Sequence, residues 1–106
     1  MVYSSFTIPR GARARRSVRM ELEGFTAGAP VYLFAQRRRR IRGVRRLGVA
    51  AGPCGTLITR TTLLPRRAHD GVWLLGAGPS NDPRDVVNLH RVRKRGPVIR
   101  DLGEAG

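Results

Sequence analysis

The residues that could do chemistry in this chain are arginines, which occur in dense runs. Seven lie within the ten positions 37–46, a second group lies between residues 10 and 19, and a third lies between residues 91 and 95. Charges placed this close together stand within about one Debye length, roughly 10 Å at 0.1 M salt. Such clusters predict binding of polyanions, because phosphates that are neutralised release their counterions. The candidate binding residues are Arg37, Arg38, Arg39, Arg40, Arg42, Arg45, Arg46, Arg93, Lys94 and Arg95.

The same runs have a second interpretation, as solvated loop arginines that reflect codon usage. Lys94 is the only lysine, and with 13 glycines and 7 prolines this is the composition that GC-rich codons produce. Proteins that read nucleic-acid sequence usually add exposed aromatic rings or a helix that fits a groove. Aromatic residues are only 6% here, and Tyr32, Phe34 and Trp73 stand at apolar strand positions. We therefore expect binding by charge and not by base sequence.

The remaining polar residues lack the spacing of a catalytic or metal site. His69 and His90 lie in different elements without ligand spacing, and Cys54 is the only cysteine. One cysteine makes neither an internal disulfide nor a CxxC metal site, so we expect a buried or inert loop thiol. Glu21 and Glu23 stand two apart on one strand face, where pairing with cross-strand arginines is the default. We predict no catalytic residues, no metal site and no enzyme.

Two loop motifs also have a simple structural interpretation. The stretch Ser80-Asn81-Asp82 supplies too few oxygens for calcium and is typical of a turn with Asx capping. The stretch Gly76-Ala77-Gly78-Pro79 lacks both the spacing and the helix of a dinucleotide-binding loop. The sequence therefore predicts that no cofactor binds.

Length and charge limit the organisation of the chain. A chain of 106 residues corresponds to one domain. Its formal net charge of +14 indicates which kinds of partner it could bind but says nothing about its fold. No apolar run reaches the roughly 18 residues that span a bilayer. The longest apolar run near the N-terminus is Met1-Val2-Tyr3, so we expect no signal peptide. The chain is then either cytoplasmic or a mature or truncated form of an exported protein.

Hydrophobic periodicity predicts strands throughout. Residues 17–23 alternate, with Val18, Met20 and Leu22 on one face and charged residues on the other. Further strands are expected at 30–35, 41–51, 56–64, 72–75, 86–92 and 97–102, with an N-terminal strand at 2–8. Positions 41, 44, 47 and 49 are taken as the apolar positions of the fourth strand, and residues 93–96 as a basic turn. The pattern indicates seven or eight short antiparallel strands and no long helix.

The predicted domain is an all-β sandwich over residues 17–102. Residues 1–16 are expected to form a flexible basic segment with a possible first strand, and residues 103–106 a disordered tail. The single tryptophan is expected to anchor the core. The predicted hydrophobic face consists of Val18, Met20, Leu22, Val31, Leu33, Val49, Leu57, Trp73, Leu75 and Leu89.

Three stretches resemble a known family. The stretch Gly24-Phe25-Thr26-Ala27-Gly28-Ala29-Pro30-Val31-Tyr32, the stretch 47–57 and Asp70-Gly71-Val72-Trp73-Leu74 resemble immunoglobulin-like modules of secreted and cell-surface proteins from GC-rich, actinobacterial-type genomes. The resemblance spans residues 17–92 and rests on turn and core residues, so it concerns the fold more than an activity. It implies a single immunoglobulin-like β-sandwich and an extracellular or cell-surface location.

The function that the sequence predicts is a non-catalytic interaction or structural module. It would bind acidic surfaces or polymers by charge, such as cell-wall polymers, anionic membrane surfaces or nucleic acid, and it could adjoin neighbouring domains of a longer protein. No small-molecule substrate is expected. The alternative is a small, basic, nucleic-acid-binding β-barrel protein, for which association with the ribosome is one option.

Overall fold

The computed structural model describes residues 3–4 and 8–104, and the side chains of residues 8–87 and 90–104. The predicted core residue Leu89 and residues 105–106 of the predicted tail therefore lie outside the described side chains or residues. Of the strand expected at 2–8, only residues 3–4 and 8 are described. Within the described ranges, no helix is long and apolar enough to cross a membrane.

The fold consists of two antiparallel sheets, which confirms the all-β prediction. The strands are β1 (Tyr3–Ser4), β2 (Val18–Glu23), β3 (Pro30–Arg37), β4 (Arg40–Val49), β5 (Leu57–Thr61), β6 (Gly71–Gly78), β7 (Val87–Arg95) and β8 (Val98–Glu104). One sheet has the order β1-β2-β5, and the other has the order β4-β3-β6-β7-β8. The helical content of the described residues is one turn of 3-10 helix, Pro83–Asp85.

The core lies between the two sheets and is built from alternating strand residues. Val18, Met20 and Leu22 of β2 are buried, as the alternation predicts, while Arg19 is exposed. Trp73 is buried, and its indole N–H donates a 2.9 Å hydrogen bond to the carbonyl oxygen of His69. The other predicted residues that join this core are Val31, Leu33 and Leu75.

The prediction of which β4 side chains face the core is wrong at two positions. Val44 and Val49 are 45% and 44% exposed, so neither belongs to the core. The cause is the register of β4 on β3, which shifts twice and leaves Arg42 and Leu47 opposite no partner. Because the side-chain period of a strand is two, an extra residue moves those that follow to the other face. Leu47 packs against the core, as does Leu57 of β5, which is only partly buried.

Two predicted boundaries also differ. Arg93, Lys94 and Arg95 belong to β7 and not to a turn, because pairing with β6 continues to Gly71 opposite Lys94. The predicted tail is part of β8 as far as Glu104.

The segment expected to be a flexible N-terminal end is attached to β8 at residues 12–14. The N–H of Ala14 donates to the carbonyl of Pro97 (2.9 Å), and the N–H of Ile99 donates to that of Ala12 (2.8 Å). Ala12 itself is 6% exposed. Backbone pairing and burial thus hold residues 12–14 against the domain.

The strand directions place four connections at one end of the sandwich. β3 and β7 run towards this end, whereas β6 begins there, so the β3–β4 turn, the β5–β6 connection and the β7–β8 turn are neighbours. The segment that enters β2 lies there too, since Val18 pairs with Thr61 at the end of β5. We call residues 12–17, 38–39, 62–70 and 96–97 the basic end.

Candidate functional site

The β3–β4 hairpin presents its arginines at the basic end. Arg37 pairs with Arg40, so Arg38 and Arg39 form a two-residue turn with φ values of 54° and 64°. Turns of this kind favour Asn-Gly, because at positive φ the Cβ atom crowds the backbone carbonyl; glycine has no Cβ, and asparagine offsets the cost with local hydrogen bonds. The exposed tip therefore carries two arginines in a backbone conformation that arginine adopts at a cost.

Asp70 connects this hairpin with the β7–β8 hairpin. Its carboxylate accepts from Lys94 Nζ at 2.8 Å and from the N–H of Gly96 at 3.2 Å, and its carbonyl accepts from Arg37 Nη2 at 3.2 Å. The hydrogen bond from Lys94, helped by that from Gly96, holds the pKa of Asp70 below its ordinary value. Lys94, whose side chain is 14% exposed, is thus already neutralised by a protein carboxylate.

Arg45 connects the two sheets. Its Nη1 donates to Thr61 Oγ1 at 3.0 Å and also bonds to Thr62 Oγ1, so a β4 side chain holds the end of β5. A guanidinium has five N–H donors, and these bonds involve only one nitrogen. The side chain is therefore oriented while Nε and Nη2 keep their donors.

The other predicted binding residues are exposed arginines. Their side chains make no hydrogen bond or ion pair with the described residues, and they are Arg38, Arg39, Arg40, Arg42, Arg46, Arg93 and Arg95. Arg93 lies directly opposite Arg100 of β8, a cross-strand pair of like charges that is unfavourable without an anion.

The structure adds three arginines that sequence reasoning left out of the candidate site. Arg15, Arg66 and Arg67 line a cleft of about 750 Å³ at the basic end, together with Arg45 and Lys94. The sequence shows two consecutive arginines, Arg66 and Arg67, directly after Pro65. Nothing in the sequence places these two arginines next to residues 45 and 94. The chain crosses between the sheets to bring these segments together.

Charge is unevenly distributed between the two ends of the sandwich. The basic end contains a single acid, Asp70, and seven arginines: Arg13, Arg15, Arg16, Arg38, Arg39, Arg66 and Arg67. The connections at the opposite end, residues 24–29, 50–56 and 79–86, contain one arginine. That residue, Arg84, is paired with Asp82 at 2.7 Å, and this bond lowers the pKa of Asp82. Of the two ends of the sandwich, the basic end therefore carries much the larger positive charge in its connections.

The residues weighed for other chemistry lie apart from one another. Glu21 pairs with Arg19 of its own strand at 3.6 Å, not with a cross-strand arginine as expected, because Ile58 lies opposite it. Cys54, expected to be buried or inert, is exposed in the turn of residues 52–55. His90 is buried with Nδ1 3.2 Å from Asp101 Oδ1.

The loop after β6 has the capped turn that the sequence predicts. Asp82 accepts from the N–H of Arg84 at 2.9 Å, and Ser80 accepts from the N–H of Asp82 at 3.1 Å. Across the described ranges, no group of three or more histidine, cysteine or acidic residues is arranged to hold a metal ion.

Comparison of this chain with protein-family models, with curated proteins and with solved structures gives no match. The geometry and charge of the basic end are therefore the features that bear on its function.

Proposed function

We propose that this protein is a non-catalytic, immunoglobulin-like module that binds anionic polymers or surfaces by charge through its basic end. The observation that carries the proposal is the convergence of arginines from separate chain segments at one end, where Asp70 is the only acid. A surface with one sign of charge raises the local concentration of polyanions and accelerates their association.

The strand order supports the immunoglobulin-like part of the proposal. In immunoglobulin-type sandwiches the second strand pairs with the fifth, and the third pairs with the sixth, which in turn pairs with the seventh. Here β2 pairs with β5, β3 with β6, and β6 with β7. β4 and β8 then extend the second sheet at its two edges.

The burial of the aromatic rings favours charge over base stacking. Phe25, Phe34 and Trp73 are all at most 7% exposed, and Tyr32 is only partly buried. Proteins that bind single strands through their bases use exposed rings as stacking platforms. Among the described side chains, Tyr32 alone offers such a surface, so phosphates or other oxyanions are the groups that this protein would contact.

The salt dependence of binding tests the proposal. We expect a single-stranded 20-nucleotide DNA, an RNA of the same length and long-chain polyphosphate to bind, with similar affinity for different base sequences. About six phosphate contacts would give a slope of log K against log salt of roughly −4 to −5. A base or structure preference that survives 0.2 M salt would support the alternative, a nucleic-acid-recognising protein. Absence of binding at 50 mM salt would refute both functions.

A further inference from the structure

The basic end is concave at one place. A cleft of about 750 Å³ opens between the N-terminal segment, β4, the β5–β6 connection and the β7–β8 turn. Small-molecule sites commonly measure about 300–1,000 Å³, so this cleft is large enough for a group of several linked oxyanions.

The lining of the cleft is strongly cationic. Five positively charged side chains line it and no carboxylate does: Arg15, Arg45, Arg66, Arg67 and Lys94. Asp70 neutralises Lys94 from outside the lining, at 2.8 Å. Four arginines therefore line one concave space without a counter-ion from the described residues, and a singly charged ligand would leave most of that charge unbalanced.

Two of the five charges are already oriented. Thr61 and Thr62 hold one nitrogen of Arg45, and Asp70 holds Lys94. Side chains that are held before binding lose less conformational entropy when a ligand arrives. The side chains of the other three arginines are exposed and make no hydrogen bond or ion pair with described residues, so they are free to reorient onto a ligand.

Backbone strain occurs in the same cleft. Arg67 has a φ of 62°, in the left-handed region that disfavours residues with a Cβ atom. Strained residues cluster at ligand-binding sites, where the surrounding structure keeps them in place. In this cleft, the strained residue carries one of the converging charges.

Part of the cleft lining is apolar. Leu64 is 2% exposed, and Ala14, Pro65, Ala68 and Pro97 also contribute. An apolar wall lowers the local dielectric constant and strengthens the attraction between a guanidinium and an anion above it.

We propose that this cleft is a specific site for a group that carries two or more adjacent phosphates. The planar fork of arginine matches phosphate oxygens in a bidentate manner, and linked phosphates supply several such oxygen pairs close together. The inference rests on the proposed function, in that it assigns one part of the basic end to a defined chemistry.

Inorganic tripolyphosphate is the probe, and isothermal titration calorimetry at 0.15 M salt is the measurement. We expect one molecule to bind per chain and Arg66→Gln/Arg67→Asn to weaken binding at least tenfold; asparagine is chosen because it tolerates positive φ. The control, Arg38→Asn/Arg39→Gly, removes the same charge at the hairpin tip and should change the affinity less than threefold. Arg15→Gln/Arg66→Gln is a second cleft variant in case the first folds poorly.

Orthophosphate and sulfate should bind at least tenfold more weakly than tripolyphosphate, because one oxyanion cannot reach all the arginines. A nucleoside triphosphate and long-chain polyphosphate are each tested as competitors of tripolyphosphate. Displacement of tripolyphosphate by either supports the site, and the stronger competitor identifies a small molecule or a polymer as the source of the phosphates.

Equal weakening by the cleft and tip variants, or several weak tripolyphosphate sites per chain, would overturn the specific site. If the long polymers still bind with a steep salt dependence in that case, the proposed charge-driven function stands without the cleft. If neither tripolyphosphate nor the polymers bind, both proposals are refuted.

Discussion

Asp70 and Lys94 form a 2.8 Å ion pair that joins the start of β6 to the end of β7. The same carboxylate accepts from the N–H of Gly96, so it fixes the turn between β7 and β8. A single acid thus organises one wall of the basic end while leaving most of its positive charge unbalanced.

This ion pair predicts a pH-dependent stability. The pKa of Asp70 is lowered from 3.8 on folding, so the stabilisation by its charged form is complete above that value and disappears as the pH falls through the lower folded pKa. Asp70→Asn should therefore lower the Tm at pH 6, and its difference from the wild type should shrink steadily as the pH falls below 3.8. Asp85→Asn, at the opposite end, is the control. A Tm difference that stays constant from pH 6 to pH 2 would contradict the prediction.

Replacing the two arginines at the hairpin tip should increase the stability of the fold. Arg38→Asn/Arg39→Gly replaces two strained arginines with the pair that such turns prefer, and we expect the free energy of unfolding to rise by about 1–2 kcal/mol. Arg15→Asn/Arg16→Gly removes the same charge where φ is not positive and should give no such gain. Urea denaturation measures both, and equal gains would attribute the effect to relief of charge repulsion and not to the turn.

Truncation of the Trp73 side chain should cause a large loss of folding stability. It is 2% exposed in the core, so Trp73→Ala should lower the free energy of unfolding by roughly 3–5 kcal/mol, enough to unfold so small a domain. Trp73→Phe keeps an aromatic ring but loses the bond to the carbonyl of His69, and should cost about 1–2 kcal/mol. A melting temperature within a few degrees of the wild type for Trp73→Ala would show that this strand does not face the core.

Gly55 occupies a position that has no room for a side chain. A Cβ at this position would lie 1.5 Å from the carbonyl oxygen of Phe25, so Gly55→Ala should prevent the turn from closing and abolish cooperative unfolding. Gly52 of the same turn also has a positive φ of 76°, but a Cβ there meets nothing within 4 Å. Gly52→Ala should therefore cost only about 1–2 kcal/mol. Similar melting curves for the two variants would contradict this assignment.

Several features of the fold could be predicted from neighbouring residues alone. The alternation of Val18, Met20 and Leu22 places β2 with one face inward, and Trp73 is where a core anchor was expected. Prediction failed for Val44 and Val49, because the two irregularities in β4 depend on its pairing with β3 and not on its own pattern. It failed for Arg93–Arg95 because pairing with β6 extends β7 past the point where a run of charges suggests a turn.

The sequence by itself determined that the chain forms strands, which of their faces are apolar, and that the arginines must remain at the surface. These are local properties, set by a period of two and by the cost of burying charge. Only the tertiary structure decided that Arg15, Arg45, Arg66 and Lys94 meet in one cleft, and that Asp70 and two threonines orient part of it. The physical reason is that this convergence depends on the order in which distant strands pair across two sheets, which the packing of the shared core selects.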